Sequence, residues 1–432
     1  MNQSRSSNTI ISMFFLTVLL FPILPQYIYV VGGINVVNFW TAFFVMVYIS
    51  GGKLYKWNIS NIMIFYFIYA IVYAIMYYFD AGILKAGTYT ITCIIIPYLT
   101  VGVLNSRLRF YKAVDTMITG GGILALIGLV EAVLKYNFIQ PLASNIDIKF
   151  FHEIRYGLLR IMTTFGQPIA YGIYQFFVVT LILYRLNTDN ISSRKRRFLK
   201  RCYILCVLNV FLSVSRIPIL AFIIMQILVS YRKSKGKFLN YAIIVLVVVF
   251  FGVIICDSLG VKIPLISDLL ETIDIILTGQ KSSSSTVGVG NRLDLWYWVY
   301  ESMGNSWIFG NGISANFAYQ VYEWQTKSSI ENQYLNILYH NGLVGLTTLL
   351  LSYGANLIYT RKGEKKYGRA FGEREISFNT IIFILLVIYY VCELGVQESD
   401  MTRMYVLLIS LLIAYNRIAQ REIQYQIGGD IR

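Results

Sequence analysis

The chain reads Gly290-Asn291-Arg292-Leu293-Asp294-Leu295-Trp296 and then Trp307-Ile308-Phe309-Gly310-Asn311-Gly312 within its longest polar interruption, residues 257–333. Almost every segment before and after this interruption is apolar enough to lie in lipid. The interruption therefore divides the chain into three parts. Residues 1–256 form a first set of membrane spans, 257–333 a large loop, and 334–432 the last spans with a cytoplasmic tail.

The composition indicates a membrane protein built from helices. Of the 432 residues, 56% are hydrophobic and only 14% are charged, whereas roughly a quarter of the residues of a soluble chain are charged. The net charge of +15 is concentrated in short clusters between apolar runs, which is the pattern of cytoplasmic loops. We therefore predict an all-α membrane protein that lies in the bilayer and binds no nucleic acid.

The cysteines and histidines give no pattern typical of a metal site. The five cysteines are scattered, mostly inside apolar runs, and form no Cys-x-x-Cys pair. The chain has only two histidines, His152 and His340. We interpret the cysteines as small packing residues and predict neither a disulfide framework nor a metal or other cofactor.

Apolar runs of about 20 residues, the length that crosses a bilayer, predict about twelve spans. They are 9–31, 34–50, 60–79, 83–103, 116–134, 168–185, 202–214, 216–231, 239–256, 334–359, 377–394 and 402–418. The weakest prediction is the pair 202–214 and 216–231. Its first member is short, and Ser213-Val214-Ser215-Arg216 interrupts it, so one long kinked helix is an alternative.

The positions of the basic clusters favour twelve spans over eleven. Twelve spans with a cytoplasmic N-terminus place every cluster on the cytoplasmic side, as the positive-inside rule requires. With eleven spans, the clusters before and after Arg216 fall on opposite sides. The protein is therefore predicted to cross the plasma membrane many times with both termini in the cytoplasm, and residues 135–167 and 257–333 lie outside.

Two outward-facing helix starts carry an arginine. Arg160 precedes Pro168, a favourable first-turn residue, and Arg216 follows Ser215, a candidate cap, and precedes Pro218. Arginines beside helix N-termini bind anions, and a pyrophosphate at the outer leaflet is a natural ligand. The alternative is that both arginines only extend from the interface to water.

A third outward-facing helix start ends the large loop. Ser328-Ser329-Ile330-Glu331 has the spacing of a capping box before an apolar run. Glu331 is therefore either a helix cap or a general base that acts on a sugar hydroxyl. His340, within the following span, is more often a packed core histidine in such a position.

The polar loop itself contains a predicted helix, residues 291–304. Helical periodicity places Arg292, Trp296 and either Val299 or Tyr300 on one face. This face either lines a sugar-phosphate cavity or lies in the headgroup region, where tryptophan and tyrosine anchor helices.

Taken in order, these residues resemble the superfamily of O-antigen polymerases and O-antigen ligases. Arg160 to Pro168 is similar to the family's Arg followed by Phe-Gly-x-Pro, and Ser215-Arg216 to its Ser-Arg. The loop motifs are similar to its Gly-x-Arg, Trp and Gly-x-Gly pattern. The re-entry motif includes Glu331-Asn332-x-Tyr334-Leu335 and Gly342-Leu343-Val344-Gly345.

The resemblance implies a GT-C-like glycosyltransferase that acts at the outer face on undecaprenyl-pyrophosphate-linked oligosaccharides, without metal or nucleotide. The family's essential arginines correspond to Arg216 and Arg292. Ligases carry His-Asn where this chain has Glu331-Asn332, so the resemblance favours a polymerase, with Glu331 as the third catalytic residue, over a ligase.

The expected substrate-binding residues are Arg160, Asn332, Trp296, Tyr334 and His340. A chain-length regulator is an expected protein partner. A flippase for the same lipid is a weaker alternative, because transporters place charged residues at the bilayer midplane and the midspan positions here are nearly free of charge.

Overall fold

The computed structural model describes residues 2–25, 27–31, 34–50, 60–144, 149, 152–155, 157–189, 191–233, 287–322, 325–327, 329–397 and 401–429. The predicted span 239–256 and the loop up to residue 286 lie outside the described residues. The described part is mostly helical.

The N-terminal half contains helices α1 to α6 and two short hairpins. In chain order the elements are α1 (Asn2–Ile23), β1 (Tyr29–Val31), β2 (Ile34–Asn35), α2 (Val36–Ser50), α3 (Ile64–Thr90), α4 (Ile96–Val103), α5 (Arg107–Leu134), β3 (Ile154–Arg155), β4 (Leu158–Leu159) and α6 (Pro168–Leu186).

The remaining described elements are α7 (Ser193–Leu212), α8 (Arg216–Lys233), α9 (Val287–Met303), β5 (Tyr319–Tyr322), β6 (Gln325–Lys327), α10 (Gln333–Tyr367), α11 (Phe378–Cys392) and α12 (Thr402–Gly429). Each pair of strands is an antiparallel hairpin. In the described part of the chain, five helical segments are long and apolar enough to cross a membrane, and α1, α2 and α11 contribute shorter apolar helices.

Helix α3 reverses direction at Gly82, where φ is +82°. In a straight helix Tyr66 and Cys93 would be about 40 Å apart. Instead, the Tyr66 hydroxyl donates a hydrogen bond of 3.0 Å to the Cys93 carbonyl. The two sides of Gly82 are thus antiparallel arms, in agreement with the separate predicted spans 60–79 and 83–103.

Residues 202–231 form two helices rather than one long kinked helix. α7 ends at Leu212, α8 begins at Arg216, and Val214 between them has a φ of +46°. Lys195, near the start of α7, pairs with Asp115. Asp115 also binds Arg185. Two residues after Arg185, the amide oxygen of Asn187 accepts a hydrogen bond from the Glu375 N–H. Lys233 at the end of α8 lies 3.8 Å from Glu375. The start of α7 and the end of α8 therefore lie at the same end of the bundle.

The predicted span 334–359 is wrong as a single continuous helix. Within α10, Gly342 has a non-helical φ of +63° and ψ of −164°. The rings of Tyr334 and Tyr353 lie 6.3 Å apart, whereas a straight helix would separate them by about 28 Å. A short helix therefore runs to Gly342, where the chain reverses, and a long helix follows.

The bundle has two chemically different ends. The basic end, defined by Arg107, Arg185, Lys195, Arg369 and Arg374, is held together by contacts to Asp115, Asp189 and the carbonyls of Phe371 and Arg374. The opposite end carries Arg160 and the starts of α6, α8 and α10. Members of four of the basic clusters used for the topology prediction, Arg107, Lys195, Lys233 and Arg369, therefore lie at one end of the bundle.

Candidate functional site

Arg160 is the centre of a polar cluster at the end opposite the basic end. Its side chain is only 8% exposed. One guanidinium nitrogen lies 2.6 Å from a Glu153 carboxylate oxygen, and the other donates to the Ser215 hydroxyl at 2.8 Å. The β3–β4 hairpin positions Arg160, because it pairs the segment after Glu153 with the segment before Arg160. We call Glu153, Arg160, Ser215 and Glu331 the Arg160 cluster.

Glu331 belongs to this cluster through its charge. Burial lowers the pKa of the Arg160 guanidinium, and the carboxylates of Glu153 and Glu331 raise it again. Opposite charges favour the charged form only at short range. Glu331 therefore lies near enough to Arg160 to act on it electrostatically, although the two residues are distant in the sequence.

The predicted capping box at Ser328–Glu331 is wrong. Helix α10 begins at Gln333, and its cap is Asn332, whose side-chain oxygen accepts from the Leu335 N–H at 3.1 Å. The Asn332 amide also donates to the Leu394 carbonyl at 3.0 Å. Asn332 thus has a structural role that sequence reasoning assigned to its neighbours. Glu331 precedes the cap, so capping does not account for this carboxylate.

Arg216 lies beside the Arg160 cluster as the first residue of α8. The hydroxyl of the preceding Ser215 accepts from Arg160 and donates to the Ser213 carbonyl at 3.0 Å. Pro218 stands in the first turn of α8, as predicted, and Pro168 is the first residue of α6. The two arginine-bearing helix starts are therefore neighbours in the structure.

Helix α9 carries position 292, but the side chain of Arg292 lies outside the described part of the structure. Leu295 and Val299 are buried against Phe317, Ile330 and Leu335. Trp296 is 53% exposed, and it is not among the described residues that line the cavity considered below. Of the two predicted alternatives, Val299 is buried, whereas Tyr300 is 66% exposed and shares the exposed face with Trp296. Trp296 occupies the exposed side, as expected for a headgroup anchor.

The chain reversal at Gly342 consists of two glycine-containing turns, one at Gly310 to Gly312 and one at Gly342, that hydrogen bond to each other. The Gly312 N–H donates to the His340 carbonyl at 3.1 Å, and the Leu343 N–H donates to the Trp307 carbonyl at 2.8 Å. A Cβ on Gly342 would lie 2.4 Å from the Ile308 carbonyl oxygen. The motif Trp307 to Gly312 therefore supplies hydrogen-bond partners for the backbone groups that the helix leaves unpaired at its reversal.

A cavity of about 530 Å³ opens beside this reversal. His340 lies on its wall, and its Nδ1 atom is 2.8 Å from the Gly312 carbonyl oxygen. The cavity is also lined by Gly166, six residues after Arg160, and by Gln333, two residues after Glu331. The Arg160 cluster therefore lies close to the cavity.

Eight tyrosines dominate the described lining, and sequence reasoning missed all of them. They are Tyr27, Tyr29, Tyr66, Tyr69, Tyr73, Tyr77, Tyr89 and Tyr405. Four of these recur at helical spacing in residues 66–77, and this stripe was a usable signal. Arg403 and Lys85 on the same wall were also missed, because each is a single charge at the end of a predicted span.

Tyr334, an expected substrate-binding residue, does not lie on the described cavity wall. Its hydroxyl donates to the Tyr390 carbonyl at 2.7 Å, and its ring contacts Tyr353. Tyr334 therefore packs the short arm of α10 against the bundle. Of the five expected substrate-binding residues, the structure places His340 on the cavity wall and Arg160 in the adjoining cluster.

Residues 202–350 match the family model described as O-antigen ligase. The match covers less than half of the chain and includes Arg216, Arg292 and Glu331, but neither Arg160 nor Arg403. It is consistent with the superfamily of O-antigen polymerases and ligases, so the resemblance inferred from the motifs is confirmed. A comparison with curated proteins finds no match.

Proposed function

We propose that this protein is a polymerase of undecaprenyl-pyrophosphate-linked oligosaccharide repeat units, acting at the outer face of the bacterial inner membrane. The observation that carries the proposal is the position of the Arg160 cluster beside a tyrosine-lined cavity, at the end of the bundle opposite the basic end. Charged groups for a pyrophosphate and aromatic surface for a glycan thus lie next to each other. The family match supports an activity on lipid-linked glycans.

In the proposed reaction, a hydroxyl of the acceptor unit attacks the anomeric carbon of the donor glycan. The bond from that carbon to the pyrophosphate oxygen breaks, and the pyrophosphate leaves with the electron pair. Arg216 and Arg292 stabilise the negative charge that develops on it. Arg160 holds Ser215 and thereby positions the start of α8, where Arg216 lies.

Glu331 is the proposed general base that accepts the proton of the attacking hydroxyl. Two observations support this role. Its carboxylate is not required to cap α10, since Asn332 is the cap, and Gln333, two residues later, lines the cavity. Its charge acts on Arg160, so a proton gained by Glu331 would also change the electrostatics of the Arg160 cluster.

Replacing Arg292 with alanine tests the proposal. We expect a cell with this variant to accumulate single repeat units and no long chains, because the departing pyrophosphate loses a bidentate cationic partner. Gel electrophoresis of the extracted glycan measures chain length. Arg374→Ala, at the basic end, is the matched control and should leave the ladder unchanged. A normal ladder in the Arg292 variant would refute the assignment.

A ligase is the second candidate, because the matching family model is described as O-antigen ligase. A ligase moves a finished glycan to a different acceptor. Deleting the gene then leaves long lipid-linked polymer, whereas loss of a polymerase leaves single lipid-linked units. The length of the glycan recovered from the lipid fraction of a deletion strain therefore separates the two activities.

A further inference from the structure

The start of α7 lines an open cleft at the basic end of the bundle. The cleft has a volume of about 480 Å³ and is lined by Ile191, Ser193, Arg196, Arg197 and Lys200. From Ser193 onward, the lining residues recur at i, i+3, i+4 and i+7, the spacing that defines one face of a helix. One helix face therefore presents three cations to the cleft, outside the residues that match the family model.

The three cations of this cleft have no acidic partner among the described residues. Their side chains make no ion pair and no hydrogen bond within the part of the chain that the structure describes. The neighbouring Lys195, by contrast, pairs with Asp115, and Arg374 at the same end pairs with Asp189. Three like charges within two helical turns repel one another, and an anion bound among them removes this repulsion.

The cleft lies at the level where the apolar stretch of α5 begins. Lys195, in the first turn of α7, contacts Asp115, the residue before the predicted span 116–134. Further along, the Asn209 amide donates to the Ala125 carbonyl at 3.0 Å. Helix α7 therefore runs alongside α5, which is long and apolar enough to cross a membrane. The cations of the cleft thus lie where the hydrocarbon core ends and the lipid headgroups begin.

The outward face of α7 changes from apolar to cationic at the same level. Ile204, Leu208 and Phe211 are exposed and follow one another at helical spacing. The same spacing, continued toward the start of the helix, leads to Arg201 and Arg197, which are also exposed. An apolar stripe that suits acyl chains therefore passes directly into cations that suit the phosphate groups of lipids.

We propose that the cleft at the start of α7 binds the headgroup of an anionic phospholipid, in the leaflet at the basic end. The guanidinium groups of Arg196 and Arg197 donate paired hydrogen bonds to the phosphate oxygens, and Lys200 adds a third positive charge. The acyl chains of the same lipid lie along the apolar stripe of α7. This lipid is distinct from the proposed glycan substrate, because the cleft and the Arg160 cluster lie at opposite ends of the bundle.

The test is native mass spectrometry of the full-length protein in detergent, which resolves each bound lipid and gives its dissociation constant. The probes are phosphatidylglycerol, zwitterionic phosphatidylcholine and inorganic phosphate. The cleft variant combines Arg196→Gln, Arg197→Gln and Lys200→Gln. The matched control combines Lys362→Gln, Lys365→Gln and Lys366→Gln, which removes three exposed charges of similar spacing from the end of α10, outside the cleft.

We expect the parent protein to bind phosphatidylglycerol at least about tenfold more tightly than phosphatidylcholine, because three cations near the headgroup attract its net charge. The cleft variant should lose this preference, and the control should keep it. A second variant with Arg196→Lys and Arg197→Lys keeps the charge and should retain part of the preference. A loss in the glutamine variant alone therefore reflects charge and not misfolding.

Equal affinities for the two lipids would overturn the proposal. So would a preference that survives in the cleft variant, or one that falls equally in the control, since diffuse charge at the basic end would then account for it. Equal losses in the lysine and glutamine variants would show that charge is not the cause. If the lipid preference is absent and inorganic phosphate binds in a manner that depends on the cleft, the ligand is a soluble anion and the lipid assignment is wrong.

Discussion

At the residue scale, Glu331 and Asn332 show how neighbours divide their roles. The two residues are adjacent in a motif that the family resemblance treats as one unit. In the structure Asn332 caps α10 and binds the Leu394 carbonyl, whereas Glu331 lies before the helix and acts electrostatically on Arg160. A capping amide and a site carboxylate therefore need different substitutions to test them.

Asn332→Ala and Glu331→Gln should have opposite consequences. Asn332→Ala removes a helix cap, which costs about 1 kcal/mol of folding stability. Glu331→Gln should keep the unfolding temperature but lower polymerisation about a hundredfold or more, as expected for loss of a general base. Thermal unfolding in nanodiscs and glycan ladders measure the two effects. If Glu331→Gln is as destabilising as Asn332→Ala, its role is structural.

At the element scale, the reversal of α10 explains why the large loop and the following span form one unit. Trp307 to Gly312 hydrogen bonds to the chain on both sides of Gly342. Gly342 and Gly310 both have positive φ. A Cβ on Gly342 would meet the backbone of Ile308 and Gly310, and a Cβ on Gly310 would meet that of His340 and Asn341, so the loop motif and the re-entry motif are complementary halves of one structure. Their joint presence in the sequence follows from this contact.

Gly342→Ala should be strongly destabilising, whereas Gly354→Ala should not. A Cβ at position 342 would meet backbone at 2.4 Å in a left-handed conformation, while a Cβ at position 354 meets nothing within 4 Å. We expect a loss of about 2 kcal/mol or more at position 342 and unchanged or slightly higher stability at position 354. Comparable unfolding temperatures for the two variants would argue against the reversal.

At the scale of the whole molecule, the two ends of the bundle imply an orientation. The basic end gathers the arginines and lysines that the positive-inside rule places in the cytoplasm, and the Arg160 cluster with the cavity lies at the other end. We therefore propose that the chemistry takes place on the side of the membrane that a lipid-linked glycan reaches after it has been translocated.

Cysteine labelling tests this orientation. The four cysteines in the described residues are buried, while Leu142 is 64% exposed beside the Arg160 end and Arg374 is half exposed at the basic end. A membrane-impermeant maleimide should label Leu142→Cys in intact spheroplasts, and Arg374→Cys only after permeabilisation. The parent protein measures background labelling. The reverse pattern would place the site in the cytoplasm.

The sequence predicted the helices well and the site only in part. The paired helices around Gly82 and around Ser213–Ser215 could be predicted because apolar length and local breaks are properties of a single segment. The cap at Asn332 could not, and for Trp296 the sequence left two alternatives open, a cavity wall or the headgroup region. Both depend on the residue at which a helix starts or the side on which it packs, and neighbouring segments decide this.

Taken alone, the sequence determined the membrane class and the positions of most helices, because lipid requires long apolar helices whose backbone groups are satisfied internally. Only the tertiary structure decided that α10 doubles back at Gly342 and that Asn38 and Arg403 meet on the wall of one cavity. Contacts between residues so distant in the chain depend on how helices pack, and helix packing leaves no periodic signal in the sequence.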